Sequence, residues 1–261
     1  MTPLKVDRVL RLLETRPNRW RLRYLEACES TQDMARVALA TGEGDGLVVV
    51  TDFQTAGRGR RGTGWVAAAE RALLFTAVLP VDPPPATLIP LAAGVALAEA
   101  VEAAAGVQVD LKWPNDVMVS GAKLAGILVE RPPGNSVLVG IGINVYQQEA
   151  ELPPGVQATS LALVSAEPVD REALLAEVLL HLDGARARLR ERGAEWLRPA
   201  WKQRSSMLGR QVELAQPGQP SRTGIAEELG ADGALLVRLN DGRLEKVVAG
   251  EIRVAVGGVS S

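Results

Sequence analysis

The chain has 261 residues, 47% of them hydrophobic, enough for one large or two smaller domains with a sizeable core. Lys plus Arg number 29 against 31 Asp plus Glu, and a net charge of −2 argues against a general nucleic-acid binder. Cys28 and His181 are the only residues of their kinds, which excludes an intramolecular disulfide framework, a cysteine metal cluster and a His-pair zinc site.

In chain order, residues 4–16 carry Leu4, Val9, Leu12 and Leu13 at helical spacing and form one short helix at most. The arm around them is basic: Lys5, Arg8, Arg11, Arg16, Arg19, Arg21 and Arg23 stand against Asp7 and Glu14. A solvated helix face explains this better than a nucleic-acid arm, and a helix-turn-helix core has no room before Leu22. Met1-Thr2-Pro3-Leu4-Lys5 lacks the apolar stretch of a signal peptide, and no apolar run reaches the ~18 residues of a membrane span. The expectation is a soluble, cytoplasmic protein.

Ser30 can cap a helix from Thr31 to about Ala40. Leu47–Phe53 is a β-branched strand, and Ala72–Val78 a second, buried one. Pro83-Pro84-Pro85 precedes an apolar core helix, Thr87–Ala105. Val109–Lys112, Val117–Val119, Leu124–Glu130 and Val137–Val145 are strand-like, with Ser120-Gly121-Ala122-Lys123 as a hairpin turn. Helices follow near 170–190, carrying His181 in a packing or surface role, and near 194–204. From Leu208, five short β segments (Gln211–Leu214, Thr223–Leu229, Ala234–Leu239, Glu245–Val248, Ile252–Val256) alternate with turns, Asp232-Gly233 and Asp241-Gly242 among them. They predict a small β-barrel. The expected divisions are a helical arm over 1–21, a mixed α/β catalytic domain over 22–206 and the β module over 207–257.

Gly57-Arg58-Gly59-Arg60-Arg61-Gly62 places three guanidinium groups within four positions, between glycines that permit close backbone approach. Each guanidinium is a planar fork suited to carboxylate or phosphate. The string is a literal G-x-G-x-x-G, but that fingerprint must open a helix, and Thr63-Gly64-Trp65 argues against one. Walker A fails as well, since Thr63 stands where its Lys belongs. The reading is an arginine loop between strands, with a plain solvated basic loop as the alternative. Its glycines make it costly to order when empty, so it is expected to close as a lid over a bound anion.

Three further segments join it. Lys112-Trp113-Pro114-Asn115-Asp116 presents a cation, an aromatic and a carboxylate at a turn. Lys123-Leu124-Ala125-Gly126-Ile127-Leu128 starts a strand with Lys, and Gly140-Ile141-Gly142-Ile143-Asn144-Val145 ends one with glycines and an amide. Together they describe a cleft with several cations, one acidic group able to hold Mg²⁺, and apolar walls. It would suit an apolar carboxylic acid reacting with ATP.

With Ser30-Thr31-Gln32, Gln54 through Gly62 and Trp65, these segments closely resemble the biotin protein ligases over about residues 25–205. The resemblance implies an α+β fold, a mixed β-sheet flanked by helices as in lipoyl ligases, with a small C-terminal SH3-like β-barrel. It implies that Ser30, Thr31, Gln32 and Gln54 line the biotin site, closed over by Arg58, Gly59 and Arg60, with Gly57, Arg61 and Gly126 in the same pocket. Lys123 would lie near the biotin carboxylate and reacting phosphate, and Trp65 would support the adenine side. Lys112 and Asp116 would lie at the phosphate and metal region, with Asn144 nearby. The implied catalytic set is Lys123, Arg58, Lys112 and Asp116, with Asp116 either as the Mg²⁺ ligand or as a base toward the incoming lysine, two roles the sequence does not separate. The implied activity is MgATP-dependent formation of biotinyl-5′-AMP and transfer of biotin to a lysine of a biotin carboxyl carrier protein.

Two departures stand out: Gln32 where the family often has Asn, and Thr63-Gly64 where some members carry a further basic residue before the tryptophan. Regulatory members carry an N-terminal DNA-binding domain, for which the segment before Leu22 is too short, so no specific operator binding is expected. A lipoate or octanoate ligase shares the chemistry, but Ser30, Thr31 and Gln54 suit a ureido ring better than a linear tail. Oligomeric state stays open, a homodimer included.

Overall fold

The computed structural model describes residues 2–14, 19–81, 86–215, 220–248 and 250–254. Arg16, Pro83-Pro84-Pro85 and residues 255–257 lie outside them. Seven strands form the main sheet: β1 (Arg21–Cys28), β2 (Leu47–Gln54), β3 (Ala72–Pro80), β4 (Asp110–Lys112), β5 (Asp116–Val119), β6 (Ala122–Glu130) and β7 (Ser136–Asn144). Their order is β1-β2-β3-β7-β6-β5-β4. Of these neighbours, β1 and β2 run parallel and the others antiparallel. The interior strand β3 is buried along nearly its whole length, which is why its sequence is apolar at every position but Thr76 rather than alternating.

Among the described residues five helical elements join the sheet: α1 (Val6–Leu13), α2 (Thr31–Ala40), α3 (Ile89–Ala105), α4 (Leu161–Val164) and α5 (Arg171–Gln203). The many alanines of α3 let it lie closely against α5, and most of its residues are buried. α5 spans the two C-terminal helices that the sequence predicts, divided at Gly193, whose φ of 52° and ψ of −136° are non-helical. Its first turn is capped by Asp170, whose carboxylate accepts from the Glu172 and Ala173 amides. Ser30 stands at the N-cap of α2, yet its side chain makes no capping bond.

Sequence reasoning missed β1. It is an edge strand, half exposed, and it begins inside the stretch assigned to a basic arm. Several of those basic side chains are engaged within the chain. Arg8 pairs with Asp170, Arg19 with Asp45 and Asp183, and Arg23 with Glu43.

The C-terminal strands are β8 (Gln211–Ala215), β9 (Arg222–Leu229), β10 (Leu235–Leu239), β11 (Leu244–Val247) and β12 (Glu251–Val254). They form an antiparallel sheet ordered β11-β10-β9-β8-β12. It shares one hydrophobic core with the main sheet. The Trp113 indole Nε1 donates to the Gly233 carbonyl at 3.0 Å, and Arg198 Nε donates to the Leu229 carbonyl at 2.7 Å. Among the described residues no helix is long and apolar enough to cross a membrane.

His181 lies on the α3–α5 seam, with Nδ1 3.1 Å from Glu99 Oε2. Arg188 donates to both Glu99 oxygens. Burial alone would raise the Glu99 pKa, but the His181 and Arg188 hydrogen bonds outweigh it and hold the carboxyl at about 2 instead of 4.5. A depressed folded-state pKa stabilises the fold above the unfolded value, and that stability is lost as pH falls from 4.5 toward 2. Glu99→Gln is expected to cost about 1–2 kcal/mol at pH 6, allowing for the partial exposure of its partners. In urea titrations the gap to wild type should shrink as pH is lowered through 3; a gap independent of pH would refute the linkage.

Candidate active site

A cleft of about 260 Å³ opens over one face of β6 and β7. Its floor is a hole in the side-chain layer: Gly126 pairs directly with Gly142, and Gly140 with Leu128. The Trp65 ring lies in that hole. A Cβ on Gly142 would sit 2.6 Å from the indole and one on Gly126 3.1 Å from it, so only glycine admits the ring. Gly140 likewise makes room for Gln32, whose amide would lie 3.0 Å from an added Cβ.

One end of the cleft is polar and buried. The N-terminus of α2 brings in Ser30, Thr31 and Gln32, all under 5% exposed. The Thr31 amide and hydroxyl both donate to Gln54 Oε1, at 2.8 and 3.1 Å. The Thr31 hydroxyl also accepts from Thr76 at 2.9 Å, so the chain Thr76–Thr31–Gln54 fixes every orientation. Gln32 donates to the Leu128 carbonyl and to Glu130, while its Oε1 is buried without a hydrogen-bond partner.

The other end is cationic. The arginine loop is a tight reversal between strands, with one 3₁₀ turn, Arg60–Gly62, and no helix following. Gly59 N donates to the Thr63 carbonyl at 2.7 Å and Trp65 N to the Gly57 carbonyl at 2.9 Å. Arg61 takes a left-handed conformation (φ 55°) beside Gly62 (φ 78°). A Cβ on Gly57 would meet the Trp65 carbonyl at 2.3 Å. Arg60 Nη1 donates to Asn115 Oδ1 at 3.1 Å; burial and the neighbouring Arg61 lower its pKa. Arg58 points to Asp33 and Glu130.

Facing the loop, Lys112 leads into a turn with a cis Trp113–Pro114 bond, and Asn115 Nδ2 donates to the Ile127 carbonyl at 2.9 Å. Lys123 Nζ lies 2.7 Å from Asp116 Oδ1 and 5.8 Å from the Trp65 ring centroid.

Ser30, Thr31, Gln32, Gln54, Arg58, Gly59, Arg60, Arg61, Trp65, Lys112, Asp116, Lys123 and Gly126 all line this one cleft. Gly57 and Asn144 do not. Gly57 forms the root of the loop. Asn144 is buried, donating to the Thr159 carbonyl and accepting from Gln147, both at 2.9 Å. Thr159 N in turn donates to the Lys123 carbonyl, so Asn144 braces the segment behind Lys123. Sequence reasoning missed Glu130, Asp33 and Arg36, which surround Arg58, and Gly250 and Ile252, which bring the C-terminal sheet to the cleft wall. No local pattern marks any of them.

Among the described residues there is no cluster of three or more candidate metal ligands. Asp116 is a single cleft carboxylate. That suits Mg²⁺, which is commonly held by one or two carboxylates with substrate phosphates completing its shell.

The mixed sheet sets a buried hydrogen-bonding pocket beside a row of cations, an arrangement suited to activating a carboxylic acid. The chain belongs to the biotin/lipoate A/B protein ligase family, which matches residues 24–146, and the biotin protein ligase C-terminal domain matches residues 207–254. It is 34% identical to the biotin–[acetyl-CoA-carboxylase] ligase of Mycobacterium tuberculosis, over 84% of this chain and 83% of that protein. It is 31% identical to the bifunctional ligase/repressor BirA of Bacillus subtilis, over 88% and 73%. Its fold is similar to that of the biotin protein ligase of Aquifex aeolicus solved in complex with biotin and ATP. The TM-score is 0.80 at 28% identity, covering 90% of this chain and 99% of the other.

Proposed function

We propose that the protein is a biotin protein ligase that activates biotin with MgATP and transfers it to a lysine of a biotin carboxyl carrier protein in the cytoplasm. The observation that carries the reading is the two-ended cleft: paired donors and acceptors at one end, cations at the other, Trp65 between them. A ureido ring presents both N–H and C=O and is recognised by such a polar end. A linear acyl chain would offer no partner to the buried Gln32 Oε1, which disfavours lipoate or octanoate.

In the first step a biotin carboxylate oxygen attacks the ATP α-phosphorus; the mixed anhydride forms and pyrophosphate leaves. An anion approaches an anion, so the catalytic burden is charge and alignment. Lys123, Lys112 and Arg60 supply positive charge, and Asp116 orients Lys123. Asp116 would also hold Mg²⁺, which supplies further charge neutralisation when bound. In the second step the neutral amine of the acceptor lysine attacks the anhydride carbonyl; an amide C–N bond forms, the C–O bond to AMP breaks and AMP leaves as the anion, and the nitrogen gives its proton to solvent. The loop shields the anhydride from water.

The test is purified protein with MgATP, a carrier domain, and biotin or lipoate in parallel. Pyrophosphate release and carrier labelling with biotin alone are expected. Labelling by lipoate, or no pyrophosphate with biotin, would overturn the reading.

A further inference from the structure

Four charged side chains close a square beside the cleft. Arg58 Nη1 lies 2.9 Å from Asp33 Oδ1, and Nη2 bonds Glu130 Oε1. Arg36 donates to the same Asp33 oxygen at 2.5 Å and to Glu130 Oε2 at 2.6 Å. Two guanidinium groups thus alternate with two carboxylates, and the Arg58 charge is neutralised by the protein itself. Glu130 Oε2 also accepts from Gln32 Nε2 at 3.2 Å, at the polar end of the cleft. One carboxylate therefore touches both an arginine of the loop and an amide of the buried polar pocket. An isolated exposed pair would contribute little, but charge-assisted bonds shared among four groups are stronger and directional.

We propose that Glu130 and Asp33 are positioning residues for the ligation reaction. By clasping Arg58 they seat the loop, whose internal hydrogen bonds make it move as a unit, and so bring Arg60 over the cleft; Glu130 also orients Gln32. Arg58 is an anchor, and Arg60, bonded to the neutral Asn115 amide, is the cation the loop offers to substrate. The clasp retains the acyl-adenylate until the acceptor amine arrives, a consequence that rests on the ligase function proposed above.

The loop carries its own probe, since trypsin cuts after Arg60 and Arg61. Glu130→Gln and Asp33→Asn should speed cleavage at Arg61 in ligand-free protein by about tenfold, the scale of one lost hydrogen bond to a charged group. They should speed release of preformed radiolabelled biotinyl-AMP by a similar factor and raise KM for biotin more than they lower kcat. Glu130→Asp should recover part of the effect. Arg36→Ala disturbs the same cluster but leaves both carboxylates to Arg58, so its effect on cleavage and adenylate release should be clearly smaller than that of Glu130→Gln. The proposal is overturned if Glu130→Gln is cut at the wild-type rate, or if Arg36→Ala matches it, which would mark the cluster as merely structural. If Glu130→Gln fails to fold, Asp33→Asn and Arg58→Met decide by the same criterion. An enzyme that makes no biotinyl-AMP would remove the ligase reading, while tryptic cleavage would still decide the clasp.

Discussion

Lys123→Ala is expected to slow pyrophosphate release by about 10²–10³, the usual loss when a single preorganised donor to a developing charge is removed. Apart from the anchored Arg58, Lys123 is the only cleft cation among the described residues with a carboxylate in direct contact, Asp116 at 2.7 Å. Its backbone is held independently of its side chain, the amide donating to the Gln157 carbonyl and the carbonyl accepting from Thr159. The ammonium can therefore be deleted without releasing the strand, and thermal unfolding of the variant should match wild type. Lys123→Arg should recover little, because a planar fork does not reproduce a compact point charge. A pyrophosphate burst of wild-type size from Lys123→Ala would show that this side chain is a bystander.

The largest expected loss of stability follows Asp52→Ala. Asp52 and Arg171 face each other at 2.9 Å with side chains only 4% and 3% exposed. Arg171 also donates to the carbonyls of Ala72 and Thr2, and the Tyr24 hydroxyl and Leu4 amide donate to Asp52. Burial and the bond to Asp52 push the Tyr24 phenol up to about 12. Removing the carboxylate leaves a buried guanidinium opposed only by partial charges, which costs about 3–5 kcal/mol. Arg171→Met combined with Asp52→Leu removes both charges and should recover much of that loss. Urea midpoints for the single and double variants check this; a single-variant loss below about 1 kcal/mol would mean that the pair is better solvated than its burial suggests.

Where packing and local sequence agree, the sequence alone is sufficient. The runs that form β2, β3, β7 and α3 are apolar because both faces of each are covered, and the Ser120-Gly121 turn fits a hairpin because both residues take positive φ, 50° and 84°. The arginine loop and the Lys112–Asp116 turn are legible because their chemistry is contiguous. What escapes the sequence does so through long-range competition. β1 alternates Arg with apolar residues as a half-exposed edge strand, so its charges outweigh its pattern. Ser30 has the residue type of a cap, but its burial in the cleft leaves the hydroxyl no capping bond. Gly193, by contrast, is where the sequence divides two C-terminal helices, and its non-helical φ and ψ break α5 there. The clasp around Arg58 joins positions 33, 36, 58 and 130, which no window of sequence places together.

The link between the two sheets bears on how such a chain can be rebuilt. Gly250 and Ile252 stand in the cleft wall, and the indole N–H of Trp113 is satisfied by the carbonyl of Gly233. Gly233 itself has φ 83° and sits against Leu88 and Leu91 of the main domain. The C-terminal sheet is thus masonry of the cleft and not a tag attached behind it. A chimera that grafts a foreign C-terminal module onto residues 2–206 must reproduce one carbonyl, one tight turn and one patch of wall at their present positions, or it inherits a breached cleft and an orphaned indole. The two halves are exchangeable only as a matched set.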